Sequence, residues 1–179
     1  MREAVRPAFI AHSRAIESME EPAKVDVLFL CTGNSCRSIM AEAMLRHLGS
    51  DRFAAHSAGS RPAGFIHPLA VHALSTMRIP LSELESKSWN EFADKHVDVA
   101  ITLCDSAAAE ACPNFPGTRF KVHWSLPDPA YHLGDETQRA DFALLMAHRI
   151  RAKIEGLLAI DWASSNLEIQ KRLSFLGDI

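Results

Sequence analysis

Apolar positions along the chain fall into short continuous runs, separated by longer stretches with helical spacing. Val25-Asp-Val-Leu-Phe-Leu30 is a compact apolar run suited to a buried strand, and the folded domain is expected to begin there. Next comes Cys31-Thr-Gly-Asn-Ser-Cys-Arg-Ser38, then Ile39, Met40, Ala43, Met44 and Leu48 at roughly helical spacing, with Gly49 as a stop. A second strand is predicted over 53–57. A helix with Pro68 in its first turn runs towards Met77, and Pro80 closes it. Ser88 can cap a short turn around Trp89 and Phe92. Residues 97–103 read as a third strand leading straight into Cys104, and 120–124 as a fourth, ending at Pro127-Asp128-Pro129. From Glu136 to about Ile160, apolar residues recur at helical spacing through Phe142, Leu145, Ile150, Ile154 and Leu158. A weaker helical extension with Leu167, Leu173 and Leu176 follows from about residue 161. Residues 1–24 carry only a weak apolar face, from Phe9, Ile10 and Ile16, and read as a frayed or loosely docked helix ahead of a domain spanning 25–179. Strands alternating with helices predict an α/β fold, a doubly wound parallel sheet with its site at the carboxyl ends of the strands. Three segments follow strands directly, beginning at Cys31, Cys104 and Asp128.

Composition narrows the function classes. With 47% hydrophobic residues in 179, the chain can bury a sizeable core. Nineteen Lys and Arg against 22 Asp and Glu give a net charge of −3, so no overall positive field points to nucleic acid or an anionic membrane. Four Cys are too sparse for a secreted disulfide framework, and there is neither a leader-like segment nor an 18-residue apolar run. A soluble cytoplasmic protein with reduced thiols is expected. In that compartment, cysteines outside the core tend to be catalytic or metal-bound. No Cys-x2-Cys pair is present and the nine His are dispersed on predicted helices, so structural zinc is poorly supported.

Cys31 and Arg37 bracket a loop that leaves a strand and enters a helix. A tetrahedral oxyanion such as phosphate or arsenate needs donors on several sides. The successive backbone N–H groups of Thr32, Gly33, Asn34, Ser35 and Cys36, with the free N–H groups of the helix start, supply them. Gly33 is expected to permit the tight curvature, and the planar fork of Arg37 suits two oxygens of the anion. Such a field brings a thiol down to roughly 3.5–7.5, which makes Cys31 a nucleophile. Ser38 can donate a further hydrogen bond to the sulfur. No Gly-Lys-Ser/Thr follows, so a nucleoside triphosphate is not implied. The plain alternative is a buried strand-end Cys31 and a surface Arg37.

Cys31-Thr-Gly-Asn-Ser-Cys-Arg-Ser38, followed by Met40-Ala-Glu42, resembles the motif of the low-molecular-weight protein tyrosine phosphatases over roughly residues 25–160. The resemblance implies a three-layer, four-stranded parallel sheet with helices on both faces. It implies Cys31 as nucleophile, Arg37 as oxyanion clamp, Asn34 as a loop brace, Ser38 as support for the thiolate, and Asp128 of Asp128-Pro129 as the acid. Asp128 also makes sense unaided, because a carboxyl beyond a strand end reaches the same crevice and Pro127 and Pro129 stiffen its loop. An ordinary Asp-Pro turn is the plain alternative.

Cys104 and Cys112 are two thiols more than a phosphatase needs. If the Ala-rich stretch between them is helical, eight steps of about 1.5 Å hold their Cα atoms roughly 12 Å apart. A disulfide tolerates at most about 7 Å, so they can bond only if that helix unwinds or never forms. A relay follows: Cys31 attacks the oxyanion, Cys104 attacks Cys31, and Cys112 attacks Cys104. Phosphorus would not accept the two electrons, whereas As(V) leaves as As(III). Thr102-Leu-Cys104, Cys112-Pro113, His123-Trp124 and Asp128-Pro129 resemble segments of arsenate reductases built on the phosphatase fold. That resemblance implies thioredoxin as the donor; a glutathione and glutaredoxin pair is the alternative, and no tightly bound cofactor is expected. A phosphatase hydrolysing phosphate monoesters through phosphocysteine is the alternative, and buried core thiols are the plain reading of Cys104 and Cys112. Cys36 is a small structural residue or a back-up partner for Cys31. Some such reductases hold potassium near the loop, and Asn34, Glu42 and Ser57 match the ligand positions. Where a further acidic ligand is expected the chain reads Ser86-Lys87-Ser88, and a Lys87 ammonium there leads to the expectation that no potassium binds.

Overall fold

The computed structural model describes residues 23–104 and 114–179; the expected N-terminal helix and the Ala-rich segment with Cys112 lie outside them. The chain builds strands β1 (Val25–Cys31), β2 (Phe53–Gly59), β3 (Val99–Thr102) and β4 (Phe120–His123), and helices α1 (Arg37–Gly49), α2 (Pro68–Thr76), α3 (Glu136–Leu158) and α4 (Asn166–Asp178). The sheet is parallel throughout in the order β2-β1-β3-β4. Its registers run from Val25↔Phe53 to Cys31↔Gly59, from Val27↔Val99 to Leu30↔Thr102, and from Val99↔Phe120 to Thr102↔His123. These registers bring the carboxyl ends of the strands to one edge.

Central β1 explains its own sequence. Val27, Leu28, Phe29 and Leu30 are all fully buried, because a strand covered on both faces alternates between two cores rather than between core and water. Val27 and Phe29, with Ile101 and Val122, face the large cluster supplied by α1 to α4. Leu28 and Leu30, with Ala100, face a smaller cluster holding Phe92 and Phe115, and a 3-10 turn at Trp89–Phe92 contributes to that layer. Ser88 caps this turn in a reciprocal capping box with Glu91.

Two helical stripes differ from the spacing predicted. In α3 the buried positions are Ala143, Met146, Ala147, Ile150, Lys153, Ile154 and Leu157, whereas Leu145 is 48% exposed. In α4 Ile169, Leu173 and Leu176 are buried and Leu167 is exposed. Alanines and the aliphatic stem of Lys153 count towards a packed stripe, which a reading based on large apolar residues overlooks. The Lys153 Nζ donates to the carbonyls of Leu176 (2.5 Å), Gly177 (3.2 Å) and Ile179 (2.6 Å), closing the last turn of α4. Burial pushes its pKa down from the usual lysine range. Trp124, just past β4, donates its indole N–H to the Leu173 carbonyl at 3.0 Å and joins α4 to the sheet.

Candidate active site

β1 ends at Cys31, and residues 32–36 turn back into α1. The turn is made by Asn34, whose φ of 41° lies in the left-handed region that Asn tolerates better than most residues. Gly33 has no positive φ, and a Cβ there would meet only the Ser35 hydroxyl at 3.7 Å. The glycine that the loop requires is Gly59, at the end of the neighbouring strand. A Cβ on Gly59 would lie 2.6 Å from the Thr32 carbonyl oxygen, 2.9 Å from the Asn34 Cβ and 3.0 Å from the Cys31 carbonyl oxygen.

The segment after Gly59 sets the direction of the loop's peptide groups. Arg61, Ala63 and His67 donate backbone N–H bonds to the carbonyls of Thr32, Gly33 and Ser35 at 2.8–2.9 Å. In a trans peptide the following N–H points the opposite way, so the amides of Gly33, Asn34 and Cys36 are turned from that segment. α1 extends the donor set: Cys36 is its N-cap without a side-chain cap, and its first turn holds no acid. By contrast α2, α3 and α4 are capped by His67, Asp135 and Ser165.

A cavity of about 630 Å³ opens over the loop and is lined by Cys31, Thr32, Gly33, Ser35, Cys36, Arg37, Cys104 and Asp128, with Arg61, Phe65, His67 and Tyr131 also around it. Arg37 is nearly buried. It donates to the Leu126 carbonyl (2.6 Å), the Leu103 carbonyl (3.5 Å) and Asp128 Oδ2 (2.5 Å). Its buried Nε has no hydrogen-bond partner among the described residues. That leaves a charged donor beside the cavity for an acceptor that arrives with a ligand. Asp128 is held from both sides, because its Oδ1 accepts the Ala130 N–H at 3.0 Å.

Cys31 and Cys104 are both buried, both reduced, and packed against each other; the Thr32 hydroxyl lies 3.5 Å from the Cys104 Sγ. The Cys31 thiol is pushed up from its ordinary range, first by its hydrogen bond with Cys104 and then by burial, while Arg37 pulls it down. The lowering expected from the loop field is therefore not present in this resting arrangement, where Asp128 also opposes Arg37. Burial pushes Cys36 up to about 12, with Asp128 adding to the effect. Cys36 packs into the main core cluster while lining the cavity.

Asn34 and Ser38 stand behind the loop, fully buried, instead of lining the cavity with their side chains. Asn34 Nδ2 donates to Ser38 Oγ (2.9 Å) and Ser57 Oγ (2.8 Å), and its Oδ1 accepts the Lys87 N–H at 2.7 Å. His123, at the end of β4 ahead of the Asp128 loop, shares a 2.8 Å hydrogen bond between its Nδ1 and the Thr102 hydroxyl. Sequence reasoning missed Gly59, Arg61, Phe65, His67 and Tyr131. Only Gly59 carried a usable signal, a glycine at a strand's carboxyl end opposite a functional loop.

The model of the low molecular weight phosphotyrosine protein phosphatases matches residues 26–171. The chain belongs to this family. Arsenate reductases recur among the phosphatase-family proteins it matches. The arsenate reductase of Halalkalibacterium halodurans is 37% identical over 113 residues, covering 63% of this chain and 80% of that protein. A solved arsenate reductase in a phosphate-binding state is 27% identical, with a TM-score of 0.64 over 75% of this chain and 97% of its own. The thioredoxin-dependent arsenate reductase of Corynebacterium glutamicum is 27% identical, with a TM-score of 0.53 over 74% of this chain and 62% of its own.

The potassium ligands suggested by the phosphatase-fold reductases do assemble here, but their oxygens are committed. A backbone N–H can only donate, so Asn34 must turn its carbonyl oxygen to Lys87 and its NH2 towards Ser57. The Ser57 hydroxyl donates to Glu42 Oε2 at 2.5 Å, and Arg46 pairs with Oε1. The Lys87 ammonium lies 3.8 Å from Glu42 Oε2. The donor set therefore does not fit a potassium ion. Among the described residues no helix is long and apolar enough to cross a membrane.

Proposed function

We propose that this phosphatase-family chain reduces arsenate to arsenite, and the observation that carries the reading is the contact between the Cys31 and Cys104 thiols. Hydrolysis of a phosphate ester has no step that uses a second thiol. Arsenate would sit on the loop amides, with Arg37 Nε as a further donor. Cys31 sulfur attacks arsenic, an S–As bond forms, and an arsenic hydroxyl leaves as water after taking a proton from Asp128. Moving the Cys31 proton to Asp128 also frees the Arg37 field to stabilise the thiolate, so one transfer prepares both nucleophile and acid. Cys104 then attacks Cys31 sulfur, its proton passing to an oxygen of the departing arsenite. The S–S bond forms, the S–As bond breaks, and its electron pair reduces As(V) to As(III). Cys112, outside the described residues, attacks Cys104 and releases Cys31, leaving a Cys104–Cys112 disulfide for an external dithiol to reduce. Thioredoxin is the donor we favour, given the thioredoxin-dependent neighbour, with a glutaredoxin and glutathione pair as the other thiol source. Such a relay needs a reducing compartment, which supports a cytoplasmic location.

Phosphate monoester hydrolysis is the second reading. Phe65, 55% exposed, and Tyr131, 85% exposed, border the cavity and suit an aryl leaving group. NADPH oxidation through thioredoxin reductase and thioredoxin, driven by arsenate, separates the two. The parent should turn over, Cys104→Ser and Cys112→Ser should lose it, and both variants should still cleave p-nitrophenyl phosphate. Turnover surviving in Cys104→Ser would end the relay, and arsenate-independent oxidation alone would end the reductase reading.

A further inference from the structure

Behind the oxyanion loop four residues close a ring. Lys87 donates its backbone N–H to Asn34 Oδ1, Asn34 Nδ2 donates to Ser57 Oγ, Ser57 Oγ donates to Glu42 Oε2, and Glu42 Oε2 faces the Lys87 ammonium at 3.8 Å. Asn34, Ser57 and Glu42 are fully buried, and the Lys87 side chain is only 13% exposed. Lys87 is pinned a third time, because its carbonyl accepts the Gly59 N–H at 2.9 Å. Its Nζ also lies 3.5 Å from the Glu85 carbonyl. Lys87 thus holds both ends of the chain of contacts that fixes the left-handed Asn34, and Asn34 sets the direction of the amides that would meet the anion.

We propose that Lys87 is a positioning residue whose ammonium serves as a built-in counter-ion to Glu42, holding the oxyanion loop in its binding shape and taking the role that a dissociable monovalent cation would otherwise fill. The reasoning is electrostatic. A fully buried carboxylate needs its charge paired and both oxygens held by donors. Arg46 serves Oε1 from a partly exposed position, whereas Oε2, the oxygen that orients Ser57, has only the Lys87 ammonium as its cationic partner among the described ion pairs. Without that charge, Ser57 and then Asn34 would lose their fixed orientation. A covalently tethered ammonium has no dissociation constant, so loop order in this chain is independent of the surrounding potassium concentration.

The test is inorganic phosphate affinity, measured by calorimetry at equal ionic strength in sodium or potassium salts. The parent should bind equally in both. Lys87→Met should bind about tenfold more weakly in sodium and recover part of the loss in potassium or ammonium, and Lys87→Arg should stay close to the parent. A parent that binds several-fold more tightly in potassium than in sodium would overturn the proposal, as would a folded Lys87→Met that matches the parent in sodium. Should Lys87→Met fail to fold, the parent comparison still decides. Phosphate binding requires no reductase chemistry, so a parent that binds phosphate but reduces no arsenate would sink the functional reading above and leave this one standing.

Discussion

The two sides of the oxyanion loop are built on opposite terms. On the cavity side, Cys31 shares a hydrogen bond with Cys104, Arg37 leans on Asp128, and Arg37 Nε waits without a partner. On the buried side, Asn34, Ser57, Glu42 and Lys87 are joined in a closed set of contacts. The contrast shows a division of labour. Groups that would exchange protons, electrons and partners in the proposed turnover are left with interactions that can be given up, while the groups that would keep the amides aimed have their polar atoms committed. Preorganisation of this kind places the cost of order in folding instead of in each catalytic cycle.

Breaking the cavity side should have the largest effect on chemistry. Arg37→Lys keeps the charge but loses the fork that spans Leu126, Asp128 and the incoming anion, so kcat/KM for arsenate or for p-nitrophenyl phosphate should fall roughly 10²–10³-fold with little change in melting temperature. Breaking the buried side should show the reverse balance. Gly59→Ala drives a methyl into the Thr32 and Cys31 carbonyls, which should cost about 1–3 kcal/mol in denaturant unfolding and weaken phosphate binding, because backbone must shift to admit it. Ser57→Ala removes the hydroxyl between Asn34 and Glu42, and about 1–3 kcal/mol of stability should go with it, the cost of leaving buried polar groups short of a partner. An activity loss without a stability loss in Ser57→Ala would erase the distinction between the two sides.

Cys36 belongs to both sides, and pH sharpens its assignment. Its thiol is raised in the folded protein to about 12 from 9.0, so the unfolded chain ionises first as pH rises. The stability it contributes is fully present below about pH 9 and is lost between there and about 12, at up to about 1.4 kcal/mol per pH unit. Melting temperature followed from pH 8 to 10 should fall more steeply for the parent than for Cys36→Ala. Parallel curves would show that the thiol is not held protonated by the core.

Much of the fold and of the cavity side could be read from the chain. β1 announces itself as an apolar run, each strand lies where the short apolar segments place it, and Cys31, Arg37, Cys104 and Asp128 come together because all four follow strand ends in a parallel sheet. The buried side is legible only through the resemblance, which brings Asn34, Glu42, Ser57 and Lys87 together. Ser57 and Lys87 are 30 residues apart and 23 and 53 residues from Asn34, and their pairing depends on β2 lying beside β1, a fact of topology rather than of local pattern. The curvature that a glycine in the motif leads one to expect at Gly33 is made by Asn34, whose left-handed φ no sequence pattern announces. The raised Cys31 thiol could not be read either, because it depends on how close Cys104 approaches.

Trp124 gives the molecule a consequence of a different kind. Its ring is packed against Phe29 of the strand that ends at Cys31, with centroids 6.2 Å apart and the Lys153 ammonium 5.9 Å from the ring centre. Two residues later the Leu126 carbonyl holds Arg37. An indole in that position is a native fluorophore wired to Arg37, so a shift of Arg37 on binding an anion should be visible as a change in the protein's own emission, with no label added.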